Sequence, residues 1–149
     1  MSFTEDNYEK AVTALFEQMG YTHLYGPDIE RDYYVPFYEE QLMESLSNVN
    51  RGKPQTAINE AVSKLKDIDT GSLTQKNELF MDYLQHGIEV SFLDGKKQRN
   101  AIVYLIDYAP TECNDFQVVN QWTFVEYSEK RADIIIFING LPLVVMELK

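Results

Sequence analysis

Asp133, Glu147 and Lys149 are the residues of this chain whose types and spacing suit catalysis. Glu147 and Lys149 lie two apart in a stretch that reads as a strand, so their side chains share a face. Alone they are no more than an ion pair where a strand reaches solvent. Asp133 opens the preceding strand, IIIFI follows it, and Asn139-Gly140 is a strong hairpin signal. With a regular two-residue loop, Asp133 faces Met146, and Glu147 points to the other side of the sheet. With a three-residue loop, or a bulge in one strand, Asp133 faces Glu147 and Lys149 shares that face. Pro142, which cannot donate to the ladder, makes an irregular start to the last strand plausible. Two neighbouring carboxylates repel, and a divalent cation relieves that repulsion. Mg²⁺ takes one or two carboxylates and completes its shell with water and phosphate oxygens. A nearby lysine can orient water or stabilise charge on a phosphate. The trio therefore suits metal-assisted phosphodiester hydrolysis, provided that the second register holds.

Four helices lead up to the strands that carry these residues. Residues 5–19 repeat Tyr8, Val12, Leu15 and Met19 at helical spacing, and Gly20 is a natural stop. A Tyr-rich connector follows, then helices at 37–48, 55–67 and 72–86. Ser72 and Gln75 have capping-box spacing in the last of these, and Gly87 ends it. After Gly87 the period becomes β-like: 88–93, a turn at DGKKQRN, a near-continuously apolar strand at 101–108, then 116–127, 133–138 and 141–149. The reading is an α/β chain in α+β order, with a mixed central sheet flanked by helices. It is one domain over 1–149, with an acidic helical part at 1–48 and further helices plus the catalytic sheet at 49–149. It reads as truncated just after the catalytic hairpin, since the last strand ends on an ionisable pair.

Composition narrows the chemistry. The apolar fraction of 44% and charged fraction of 25% are those of a folded globular chain of 149 residues. Cys113 is the only cysteine, and His23 and His86 are the only histidines. A zinc site of Cys and His ligands is excluded, and any metal must be a hard cation on oxygen ligands. The start, MSFTEDNYEK, is polar and acidic, unlike a secretory signal, and the most apolar stretch is too short to span a bilayer. A cytoplasmic chain without membrane contact is expected. The net charge is −11. Residues 1–48 hold ten acids against Lys10 and Arg31, and the remainder holds fourteen acids against eleven bases. Such a chain should bind DNA poorly by itself, although a metal offsets part of the charge at a carboxylate site. Lys130 and Arg131 are candidate phosphate contacts; Lys96, Lys97 and Arg99 read more simply as a solvated basic turn.

Asp133, a hairpin and then Glu147-Leu148-Lys149 resemble the Asp…Glu-x-Lys motif of the PD-(D/E)xK nuclease superfamily. The surrounding segments NDFQVVNQWTF (114–124) and RADIIIFINGLPLVVMELK (131–149) resemble the N-terminal region of the restriction (R) subunit of type I restriction-modification enzymes. NELFMDYLQHGIEV (77–90) does so more loosely, and the likeness fades before residue 55. The resemblance implies a restriction-endonuclease-like fold, with Asp133 and Glu147 as Mg²⁺ ligands and Lys149 as the catalytic lysine. It implies double-stranded DNA as substrate, with methyltransferase and specificity subunits as partners. ATP would enter only through motor domains, for which no G-x-x-x-x-G-K-[ST] pattern is present here. Superfamily members often add a helix glutamate; Glu60 is the candidate and Glu78 the runner-up. Two departures stand out: Ala132 occupies the usual proline position, and the family's Gln-x-x-x-Tyr motif would follow Lys149. Two other readings compete: a docking module that uses residues 1–48 and is inert in isolation, and a stand-alone nuclease-fold protein.

Overall fold

The computed structural model describes residues 4–68, 71–109, 113–125 and 127–148. They follow the order α1 (Glu5–Gln18), β1 (Thr22–Tyr25), a 3-10 turn (Gly26–Asp28), α2 (Glu39–Val49), α3 (Gln55–Lys66), α4 (Leu73–His86), β2 (Ile88–Asp94), β3 (Lys97–Val103), β4 (Phe116–Val125), β5 (Glu129–Ile138) and β6 (Leu141–Met146). The chain divides into two compact units, Met1–Glu39 with Asp115–Lys149, and Glu40–Asn114.

The first unit is built on a four-stranded mixed sheet in the order β1-β4-β5-β6. β1 runs parallel to β4, and the other pairs are antiparallel. Thr4 caps α1 by accepting the Asn7 amide at 3.3 Å. Val12 and Phe16 of α1 pack with Val118, Ile134 and Ile136 on one face of the sheet. The opposite face buries Val119, Trp122, Ala132, Ile135 and Phe137, with Tyr38 against them. The Trp122 and Phe137 rings meet edge to face at 4.7 Å between centroids.

The second unit holds α2, α3, α4 and an antiparallel ribbon, β2-β3. Ala57, Ile58, Ala61, Val62 and Leu65 give α3 a continuous buried face. The capping box at Ser72 is complete: its hydroxyl accepts the Gln75 amide at 3.2 Å, and the Gln75 side chain accepts the Ser72 amide at 2.8 Å.

Three expectations are corrected. The strands do not form one central sheet, because β2 and β3 pair only with each other. The strand expected at 101–108 runs Lys97–Val103: the turn is shorter than DGKKQRN, and its charged residues continue the ladder, Lys97 opposite Asp94 and Arg99 opposite Phe92. Nor is it buried throughout. Ile102 and Tyr104 are exposed, since a two-stranded ribbon covers one face only. The connector contains β1, a short strand that lies parallel beside β4.

Candidate functional site

The hairpin that carries the candidate residues turns through Asn139 and Gly140, both at positive φ (53° and 81°). That is the geometry in which Asn-Gly matches the twist of the flanking strands. Asn139 is fully buried. Its side-chain oxygen accepts the Asp115 amide at 2.7 Å, and its own amide donates to Asp115 O at 2.9 Å. The turn is thus fastened to the start of β4.

The loop has two residues, with Ile138 opposite Leu141 and Phe137 opposite Pro142. Beyond them the register slips by one, and Ile136, Ile135 and Ile134 face Val144, Val145 and Met146. Leu143 is the extra residue of a β-bulge beside Pro142. Continued by one step, this register sets Asp133 opposite Glu147. Loop length therefore does not decide the arrangement: a two-residue turn coexists with the one-residue slip that a joint site requires.

Asp133 is half-buried and accepts the Leu148 amide through Oδ2 at 2.8 Å. Glu147, just past the end of β6, is exposed. Lys149 lies outside the described residues. A second irregularity sits across from Asp133 on its other side. Asn120 pairs with Ile134, and Trp122 with Ala132, so Gln121 is the position facing Asp133. Gln121 has φ 58°, a left-handed backbone that costs a non-glycine residue energy. The strands change faces there. Val118 and Ile134 belong to the α1 side, whereas Trp122 and Ala132 belong to the opposite core.

Among helix carboxylates, Glu60 is exposed on α3, where it borders a groove with Thr56, Asn59, Ser91, Phe92, Leu93 and Gln98. Glu78 is exposed on α4. Both lie in the second unit. Glu9 of α1, assigned no role from the sequence, is buried in the first unit. It accepts Asn120 Nδ2 at 2.6 Å and Gln121 Nε2 at 2.8 Å. His23 Nε2 donates to Asn120 Oδ1 at 2.8 Å, and its Nδ1 lies 3.5 Å from Glu17. His86 pairs locally with Asp82 at 3.0 Å. His23 finds its partner 97 positions away, beyond what sequence spacing shows, whereas Asp82 and His86 form an i,i+4 pair within α4. Among the described residues, no three His, Cys, Asp or Glu side chains are grouped to hold a metal.

Lys130 and Arg131 are exposed on β5, and Arg131 Nε donates to Thr123 Oγ1 at 3.3 Å. Arg99 is paired with Asp94 at 2.9 Å. Arg31 stacks on Trp122, its guanidinium carbon 3.4 Å from the ring centroid, and donates to the Thr123 carbonyl. Burial there lowers its pKa from the usual arginine value. No helix among the described residues is long and apolar enough to cross a membrane.

Residues 2–149 match the family model described as type I restriction enzyme R protein N terminus. The chain is 30% identical over 97% of its length to the type I restriction enzyme HindI endonuclease subunit of Haemophilus influenzae. It is 24% identical over 95% of its length to a provisionally named type I restriction enzyme MjaIXP endonuclease subunit of Methanocaldococcus jannaschii. It spans 15% and 14% of those two relatives' own lengths.

Proposed function

The chain belongs to the type I restriction enzyme R protein N-terminus family, and from that premise we propose that it is the DNA-cleaving part of a restriction subunit. The reaction is Mg²⁺-dependent hydrolysis of a phosphodiester in double-stranded DNA, on a PD-(D/E)xK-type, restriction-endonuclease-like site. The observation that supports this reading is the bulge at Leu143, whose register pairs Ile134 with Met146 and, carried one residue further, would set Asp133 opposite Glu147. The donor set suits the cation. Asp133 keeps one carboxylate oxygen clear of the Leu148 amide, Glu147 is open to solvent, and a hard ion of this size needs no third side chain when water and phosphate complete its shell. When bound, Mg²⁺ neutralises charge on the reacting phosphate and lowers the pKa of a coordinated water. Lys149 is assigned the catalytic lysine's role by its place in the motif, where its ammonium would orient water or stabilise phosphate charge. Glu60 is the helix carboxylate that the motif invites, and Lys130 and Arg131 are the phosphate contacts proposed beside the site.

With a net charge of −11, the domain depends on its assembly to bring DNA to it. The proposed partners are the methyltransferase and specificity subunits, with ATP used by motor domains elsewhere in the subunit. Asp133→Ala, Glu147→Ala or Lys149→Ala in the full subunit is expected to abolish cutting while ATP hydrolysis continues. Unchanged cleavage in any variant removes that residue from the site. Glu60→Ala in the same assay is expected to impair cutting, and full activity would leave α3 without a role in it. A Mn²⁺ titration in which the unaltered chain binds no better than Asp133→Ala would sink the metal site itself.

A further inference from the structure

A regular strand sends consecutive side chains to opposite faces. Asn120 and Gln121 break that rule, since both reach the one carboxylate of Glu9 on α1, at 2.6 and 2.8 Å. They can do so because Gln121 is left-handed, with φ 58°. Glutamine has no intrinsic preference for that conformation, so something outside the residue must hold it. Two features do. The Glu9 carboxylate takes the Gln121 side-chain amide. Gly26 of the 3-10 turn lies so close that a Cβ there would be 2.8 Å from the Gln121 carbonyl carbon and 2.9 Å from Asn120 O. The register partner of this creased residue is Asp133, which sits where β5 changes faces. Asp133 is thereby drawn into neither core, and its carboxylate is left for the Leu148 amide and for the open end of the hairpin.

We infer that Glu9 is a positioning residue: by clamping Gln121 in its left-handed conformation, it fixes the crease that sets the place of the Asp133 carboxylate. Glu9 acts through the backbone of β4 and is not a metal ligand. The importance of this for cleavage rests on the nuclease reading above, but the positioning itself does not.

The test uses the 149-residue chain and two readouts. The first is the Leu148 amide proton shift, with Asp133→Ala as the reference in which its carboxylate partner is gone. The second is Mn²⁺ affinity. Glu9→Gln leaves one acceptor for two amides, so the Leu148 shift should move toward that reference and Mn²⁺ binding should weaken by about tenfold, the usual scale for supports behind a metal ligand. Gln121→Gly supplies a residue that adopts positive φ without a clamp. Added to Glu9→Gln, it should return the Leu148 shift and most of the Mn²⁺ affinity. Two results would overturn the inference: a double variant no better than Glu9→Gln, as expected of an independent ligand, and a Glu9→Gln chain that melts earlier with the Leu148 shift unmoved. If the unaltered chain binds no Mn²⁺, the metal-site reading falls, and the Leu148 shifts still decide the positioning claim.

Discussion

The β2-β3 ribbon and the β4-β5-β6 sheet are both antiparallel, and they differ in where their ladders break. The ribbon has seven consecutive pairs, from Ile88 with Val103 to Asp94 with Lys97, and no slip. Even its edges are occupied: Lys64 donates to Glu89 O at 2.6 Å, and Lys53 to Ile102 O, the two carbonyls of one cross-strand pair. Lysine on an open edge discourages further strand pairing. The sheet breaks twice, at left-handed Gln121 and at the bulged Leu143. The first lies directly across from Asp133, and the second shifts the strand on its other side by one residue. A complete ladder consumes its polar groups and leaves little for chemistry, whereas a creased one turns carboxylates and amides toward each other. The difference teaches that the proposed site lies where the ladder departs from regularity, rather than along its unbroken stretches.

The largest expected effect tests that contrast directly. Asp133→Ala should remove Mn²⁺ binding, and Ser91→Ala, which breaks only the Ser91–Asn100 contact of the ribbon, should leave it unchanged. Titration calorimetry of both variants checks this. Equal losses would erase the distinction between the two sheets. Next in size is the core beneath the crease. Trp122→Ala removes a ring that is 1% exposed and packs against Phe137 and Tyr38, at a cost of about 3–5 kcal/mol in denaturant unfolding. A cost below 1 kcal/mol would mean that the face change at Gln121 is not built on that core.

A smaller effect is expected where the ribbon is tied down. Asn50 is 3% exposed, donates to Leu46 O and Tyr104 O, and accepts the Tyr104 amide at 2.8 Å, so one side chain imitates a strand partner just beyond β3. Asn50→Ala leaves the part-buried Tyr104 amide and carbonyl without this partner and should destabilise the second unit by about 1–3 kcal/mol. Chemical unfolding followed by amide signals from both units checks it. Equal loss of signals in the two units at one midpoint would show that they unfold together, and the comparison would then concern geometry alone.

Much of this architecture is legible in the sequence wherever local chemistry fixes it. The four helices follow from apolar spacing and their stops, the Ser72-Gln75 capping box is present as read, and Asn139-Gly140 makes the expected turn. What escaped depends on pairings that no single segment reveals by itself. β1 is four residues in a Tyr-rich connector, and it is a strand only because β4 lies beside it. Lys97, Gln98 and Arg99 look like a turn until Asp94, Leu93 and Phe92 pair with them. Glu9 resembles any acid on an amphipathic helix, because its partners lie 111 and 112 positions away. The crease at Gln121 has no signal of its own, since glutamine is not a residue that announces positive φ. The bulge at Leu143 was legible only as a condition: a joint carboxylate site required a three-residue loop or an irregular strand, and Pro142 was the reason to expect the irregularity.

The smallest expected effect sharpens what that bulge does. Removing Leu143 from a two-residue hairpin leaves Ile138 opposite Leu141 and Phe137 opposite Pro142, and Val144 follows directly opposite Ile136. Every later pair then keeps its present partner, so Asp133 still meets Glu147. The deletion should cost some stability through the lost, half-buried Leu143 side chain, while Mn²⁺ affinity stays close to that of the unaltered chain. No residue of β2 is spare in this way, because each of its seven has a partner in an unbroken ladder. If deleting Leu143 abolishes Mn²⁺ binding while the hairpin signals survive, the bulge does more than hold the register. Its local twist would then be what turns the two carboxylates together, and the site would depend on the shape of the irregularity as well as on its count of residues.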